Sequence, residues 1–218
     1  MQKELALLLP LLEDASVVED HGLTFHCGTI GGHDVVAMQC GIGKVNAAVG
    51  TLSLIYRFEP DYVLNTGVAG GLGGKVPVMD VVAGERVAYH DVWCGPETTR
   101  GSIQGLPQYF YADRRLLGAL PFDRHIHKGL ICSGDQFIDT LRASQKITDN
   151  YPGALACDME SGAIAQVCYL RQVPFLSLRV ISDSPGAADD STDQYADFWQ
   201  EAPQHTFAIV RSVLQQLR

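Results

Sequence analysis

Two acidic clusters flank an apolar crossover in residues 157–183. Cys157-Asp158-Met159-Glu160-Ser161-Gly162-Ala163 opens the stretch and Arg179-Val180-Ile181-Ser182-Asp183 closes it. Between them Ala163, Ile164, Val167, Cys168 and Leu170 recur at helical spacing, and residues 173–181 read as an almost unbroken buried strand. A helix feeding such a strand belongs to a parallel sheet, so Ser182 and Asp183 should leave at its carboxyl end, where open α/β sheets gather ligands. Glu160 must come from the end of the preceding strand, which brings two acids to one rim of the sheet. That convergence points to an enzyme. Asp183 leaves a strand too apolar to welcome an unpaired charge, so either its pKa rises and it stays protonated or it meets a donor such as Arg179.

Other segments offer chemistry with more than one reading. Asn65-Thr66-Gly67-Val68-Ala69-Gly70-Gly71 follows a short strand, and a glycine-rich turn there serves equally as a tight structural corner or as a loop whose N–H groups face a ligand. Gly41-Ile42-Gly43-Lys44 precedes a helix, where glycine pairs are more often packing devices than phosphate cradles. Ser133-Gly134-Asp135-Gln136-Phe137-Ile138 ends another strand, and its Phe137 fits either the core or a stacking surface for a flat ligand. His125 and His127 have no Cys or carboxylate at ligand spacing, so a metal reading is set aside.

The elements that must position these groups follow from periodicity and breakers. Residues 2–12 carry a helical stripe of Leu5, Leu8, Leu9 and Leu12 with a kink or early end at Pro10. Residues 24–29 and 34–40 form a hairpin around Gly31-Gly32, and residues 44–58 a helix stopped before Pro60. Strands are expected at 62–66, ending in Gly67, at 78–89 and at 128–132, and helices at 113–120, 142–150 and 204–217. Residues 93–108 have no period and form a long loop, a lid or an interface.

Composition bounds the class. With 218 residues, 46% of them hydrophobic, the chain suffices for one α/β domain covering residues 1–218, with no linker or repeat. No apolar run nears the roughly 20 residues that span a bilayer, and Glu4, Glu13 and Asp14 break up the N-terminal leucines, so no membrane and a cytoplasmic location are expected. Six cysteines without a close CxxC pair favour reduced core thiols over a disulfide framework or a zinc site. A net charge of −9 argues against nucleic acid as a partner.

Six segments in order resemble the nucleoside phosphorylase superfamily and, within it, the 5′-methylthioadenosine/S-adenosylhomocysteine nucleosidases. They are Gly41-Ile42-Gly43-Lys44-Val45, the segment from Asn65 to Gly71, Tyr89-His90-Asp91, Ser133-Gly134-Asp135-Gln136-Phe137, Asp158-Met159-Glu160 and Arg179-Val180-Ile181-Ser182-Asp183. The resemblance covers essentially the whole chain. It implies a three-layer α/β/α fold around a mixed, partly barrel-like sheet, a homodimer, adenine nucleosides as small-molecule substrates, and no metal or redox cofactor. It implies Asp183 as general acid toward N7 of adenine, Glu160 on the ribose hydroxyls, and Glu4 activating water with Arg179 beside it. Phe137 and Met159 would flank base and sugar, Ile138 backbone groups would read the purine edge, and Ile42 would line the pocket. Val68, Ala69, Gly70 and Asp158 complete the substrate-binding set, Tyr195 would cap the adenine, and Pro107 would reach the partner's site in a dimer.

Two departures stand out. The family begins with a short apolar strand ending just ahead of the position of Met1, and this chain lacks that first strand; the expectation is a start downstream of the biological one. Many members carry serine at the position of Val68, and a valine side chain cannot donate a hydrogen bond, so the water network should be redistributed. Three alternatives remain open: a phosphorolytic relative, disfavoured because no Arg or Lys lies within or just before residues 65–71; a hydrolase of aminodeoxyfutalosine; and an inactive nucleoside-binding protein.

Overall fold

The computed structural model describes residues 1–185, 198 and 203–217. In chain order these contain α1 (Gln2–Leu8) with a 3-10 turn (Leu9–Leu11), β1 (Glu13–Asp20), β2 (Leu23–Ile30), β3 (His33–Met38), α2 (Lys44–Phe58), β4 (Val63–Gly71) and β5 (Val81–Tyr89). There follow β6 (Phe110–Tyr111), α3 (Arg114–Gly118), β7 (Ile126–Ser133), α4 (Leu141–Asn150), β8 (Ala154–Asp158), α5 (Ser161–Arg171), β9 (Phe175–Asp183) and α6 (Pro203–Gln216). Pro10 ends α1 as its missing N–H requires, and the chain tightens into the 3-10 turn. Tyr195 lies outside the described residues.

Strands β1 to β3 form an antiparallel sheet, and the other six a mixed one. Five of those six close on themselves in the order β5, β7, β8, β4, β9 and back to β5, which gives the barrel-like sheet expected. Helices α2 and α5 pack together over one side through Ala47, Ile55, Ala163 and Ile164. Leu116 of α3 with Val210 and Val213 of α6 covers another, against Leu176 and Leu178 of β9. The alternation of β9 thus sends one set of residues into apolar layers, while Ser177 and Arg179 point the other way, toward the polar side chains of Asn65 and Ser161.

Three expectations are corrected. First, the two acids do not share the rim of a parallel sheet. β8 runs antiparallel to β4, and β4 parallel to β9, so the carboxyl ends of strands from opposite directions overlap head to head. The β4–β8 overlap is confined to Gly70 with Cys157 and Gly71 with Ala156, and Gly70 is also in register with Asp183.

Second, the glycine-rich segment is neither a turn nor a loop, because β4 runs through it, in register with β9 as far as Gly70 and with β8 at Gly70 and Gly71. Its glycines admit neighbours instead of bending the chain. A Cβ on Gly67 would collide with Arg179 Nη1 and come within 2.8 Å of Glu4 Oε1; one on Gly71 would lie 3.0 Å from Ile181. Third, β1 went unforeseen, since an exposed strand of sequence EDASVVED carries no apolar alternation.

Among the described residues β3 is bonded to β2 alone, β4 meets β8 only at its last two residues, and residues of both strands border the same cavity. The long loop is pinned down: the Tyr151 hydroxyl donates to the carbonyls of Tyr89 (2.8 Å) and Arg100 (3.0 Å), and the Gly101 N–H donates to Val92 O at 2.9 Å. His125 and His127 do find a carboxylate, which the fold supplies from 45 residues upstream. Asp80 bonds His125 Nδ1 and His127 Nε2, each at 2.7 Å. Among the described residues no cluster of three or more His, Cys, Asp or Glu is disposed to hold a metal ion, and no helix is long and apolar enough to cross a membrane.

Gly162, in the first turn of α5, faces the buried Tyr89 ring, and a Cβ there would lie 2.5 Å from Tyr89 Cε1 and 3.0 Å from Ser133 Cβ. Gly162→Ala should therefore destabilise the fold by about 1–3 kcal/mol through overpacking. Urea unfolding measures this; an unchanged midpoint would mean that α5 can withdraw without loss.

Candidate active site

Arg179 is the hub. Its side chain is only 4% exposed, and its Nε lies 2.7 Å from Asp158 Oδ2 and 3.2 Å from Ser161 Oγ. Its Nη2 reaches Asn65 Oδ1 at 3.3 Å and Glu160 Oε2 at 3.5 Å, and its Nη1 donates to Val68 O at 3.4 Å. Burial by itself lowers its pKa, but Asp158, Glu160 and Glu4 more than offset that, and its pKa is raised. Arg179 thus turns to Asp158 and Glu160, while the donor found on Asp183 is Ser182, which decides an alternative the sequence left open.

Asp158 is consumed by this framework. It accepts from the Ser161 hydroxyl and from the Ser161 N–H at 3.2 and 3.3 Å, capping α5 while holding Arg179. Although Asp158 borders the cavity, its contacts are those of a support. Behind it Asn65, Ser161 and Ser177 form a closed set of hydrogen bonds, with Asn65 Nδ2 donating at 2.9 and 3.1 Å. No periodicity signalled that network; the one clue was small polar residues inside buried elements.

Glu160 stands at the start of α5, where its Oε1 accepts from the Gly43 N–H (3.0 Å) at the N-terminus of α2. Burial raises its pKa, and Arg179 and the Gly43 N–H oppose the rise. Glu4, in the first turn of α1, reaches across to β4: its Oε1 accepts from the Val68 N–H at 3.0 Å, and its Oε2 faces the Met1 ammonium. A valine at position 68 therefore still supplies a donor, from its backbone instead of its side chain.

Asp183 ends β9 with 2% exposure. Its Oδ1 accepts from the Ser182 hydroxyl at 2.7 Å, and its Oδ2 is buried with no hydrogen-bond partner among the described residues. Burial raises the pKa and the Ser182 bond only partly opposes it, which shifts the balance toward the protonated form. A Cβ on Gly70 would touch both Cys157 Sγ and Asp183 Oδ2, at 3.4 and 3.5 Å, so the thiol and the acid both close on this glycine. Burial pushes the pKa of that thiol well up.

A cavity of about 1210 Å³ brings these groups together. Glu4, Glu160, Arg179 and Asp183 line it, as do Val68, Ala69 and Gly70 of β4. Ile42, Phe137, Ile138 and Met159 also border it; Ile138 is buried, whereas Ile42 and Phe137 keep 55% and 54% exposure at the mouth. Pro107, on the pinned loop, is not among the residues that line the cavity of its own chain.

A carboxylate on a backbone N–H, a second on a guanidinium and a third whose pKa burial raises can divide the work of breaking a bond whose halves develop opposite charge. A family model described as the phosphorylase superfamily matches residues 1–215. The 5′-methylthioadenosine/S-adenosylhomocysteine nucleosidase of Hydrogenovibrio crunogenus is 36% identical over 227 residues, covering 100% of this chain and 96% of that protein. The structure of the nucleosidase of the same description from Colwellia psychrerythraea, in complex with adenine, matches with a TM-score of 0.93 at 36% identity, covering 100% of this chain and 92% of that one. A futalosine hydrolase mutant of Helicobacter pylori matches with a TM-score of 0.91 at 25% identity, covering 100% of this chain and 96% of the other. The chain belongs to the phosphorylase superfamily and, within it, to the 5′-methylthioadenosine/S-adenosylhomocysteine nucleosidases.

Proposed function

We propose that this protein hydrolyses the N-glycosidic bond of 5′-methylthioadenosine and S-adenosylhomocysteine, releasing adenine and the thioribose. The observation that carries this is Glu4 on the Val68 N–H. A phosphorolytic enzyme needs positive charge on this strand, and the cation that reaches it, Arg179, is already neutralised by Asp158 and Glu160. A phosphate dianion would be repelled by the Glu4 carboxylate, whereas water would find a base.

As the bond between C1′ and N9 lengthens, positive charge grows on the sugar and negative charge on the base. Glu160, oriented by Gly43 and Arg179, binds the ribose hydroxyls and favours the cationic sugar. Asp183 gives its proton to N7 so that adenine leaves neutral. Glu4 takes a proton from water as the water oxygen bonds to C1′. Phe137 and Met159 flank base and sugar, Ile138 offers its backbone to the purine edge, and Ile42 closes the mouth. The likeness to a futalosine hydrolase makes aminodeoxyfutalosine the second substrate to compare, because the same three acids would serve it.

The reading includes a homodimer working in the cytoplasm. Val45, Val49 and Tyr56 leave one side of α2 apolar and 54–74% exposed, beside Ile42, which supports a subunit contact next to the cavity mouth. In this reading Pro107 reaches the partner's site. The free cysteines suit a reducing compartment. Light scattering should give twice the chain mass, and Val45→Glu with Val49→Glu should halve it.

Adenine release from methylthioadenosine should proceed in phosphate-free buffer and gain nothing from added phosphate; dependence on phosphate would overturn hydrolysis. Asp183→Asn should lower kcat by about 10²- to 10⁴-fold with the fold intact by circular dichroism. The acid works only while protonated, so activity is present below its raised pKa and is lost as pH rises through it. Ser182→Ala removes the bond that favours the carboxylate, so the basic limb of the kcat/KM profile should move to higher pH. A limb that stays in place would exclude Asp183 as the acid.

A further inference from the structure

The N-terminus of α2 has no cap of its own: Gly43 has φ 87° and no side chain. Its first two N–H groups are taken by carboxylates from distant elements. Gly43 N–H donates to Glu160 Oε1 at 3.0 Å, and Lys44 N–H donates to Asp135 Oδ1 at 2.7 Å. A third carboxylate joins these. Asp91 Oδ2 accepts from Lys44 Nζ at 2.8 Å and from the Asp135 N–H at 2.9 Å, while Lys44 Nζ lies 5.3 Å from the centre of the Tyr89 ring. There is no slack in this arrangement: a Cβ on Gly43 would meet Asp135 Oδ1 at 3.0 Å, and one on Gly134 would meet Asp91 Cγ at 2.7 Å and the His90 ring at 2.6 Å.

We propose that Lys44, Asp91 and Asp135 are positioning residues that fix the separation between the ribose and base halves of the site. This inference rests on the nucleosidase reading. On one side the clamp sets the Gly43 N–H, and with it the carboxylate under the ribose. On the other it holds the peptide of Asp135, two residues before Phe137 and three before Ile138, which border the cavity where the base is read. The two halves of a nucleoside are separating in the transition state, so a site that grips each half from a different element needs those elements locked together. Misplacement by about 1 Å costs on the order of 10²-fold in rate.

None of the three residues is among those lining the cavity. Their substitution should therefore act on turnover through geometry and leave the proton chemistry alone. Asp91→Ala and, separately, Asp135→Ala should lower kcat for methylthioadenosine at least about tenfold. KM should change less than kcat, and the pH of the basic limb should not move. Asp91→Asn, whose amide oxygen still accepts from Lys44 and from the Asp135 N–H, should recover most of the rate. Melting temperatures recorded for each variant separate turnover from unfolding, and the exposed position of Asp135 makes its variant the one expected to fold without difficulty. An unchanged kcat in both alanine variants, an equal loss in Asp91→Asn and Asp91→Ala, or a loss confined to KM would overturn the clamp. If the wild-type chain releases no adenine, the nucleosidase reading itself falls and takes the clamp with it; an active wild type with unaffected variants removes the clamp alone.

Discussion

A guanidinium buried inside a barrel is the constraint around which this protein is organised. Arg179 sits in the middle of β9, a strand with all nine residues buried, where an uncompensated charge could not persist. Its partners arrive from β4 (Asn65, the Val68 carbonyl), from the end of β8 (Asp158) and from the start of α5 (Glu160, Ser161). Breaking such a set by removing one member costs about 3–5 kcal/mol, because the remaining charge is left buried and unpaired. The requirement to neutralise one cation thereby fixes the relative placement of four elements, and the groups proposed for catalysis stand on or beside them.

The acids are distinguished by their partners more than by their burial. Burial raises the pKa of both Glu160 and Asp183. Glu160 is met by a guanidinium and a helix N-terminal N–H, both of which favour its ionised form; Asp183 accepts from a neutral hydroxyl on one oxygen and has no hydrogen-bond partner, among the described residues, on the other. One carboxylate is thus supported as an anion and its neighbour as an acid, within a single cavity and without any metal ligand set among the described residues.

Glycine in β4 serves this arrangement by absence. Where a side chain at 67 would stand, Arg179 and Glu4 approach the strand; where one at 70 would stand, Cys157 and Asp183 close in. The segment looks like a turn because glycine-rich runs after strands usually are turns, but parallel pairing with β9 carries it on as a strand. Local composition could not distinguish a chain that bends from one that must be approached closely, since both demand the same residue.

Much was legible in the residues alone. The helical stripe of α5, the apolar run of β9 and the breakers around α2 are set by local periodicity and backbone chemistry, and the elements fall within a few residues of where those patterns put them. The sequence by itself also determined that carboxylates end two buried elements, because only a site tolerates acids there. Three things were decided by tertiary structure. The strands carrying the acids meet head to head in a closed barrel; Asp158 is spent on Arg179 and Ser161; and Lys44, Asp91 and Asp135 tie the two halves of the cavity together. The physical reason is the range of the contacts: the partners of the buried Arg179 lie 18 to 114 residues away in the chain, a separation at which no local pattern carries information.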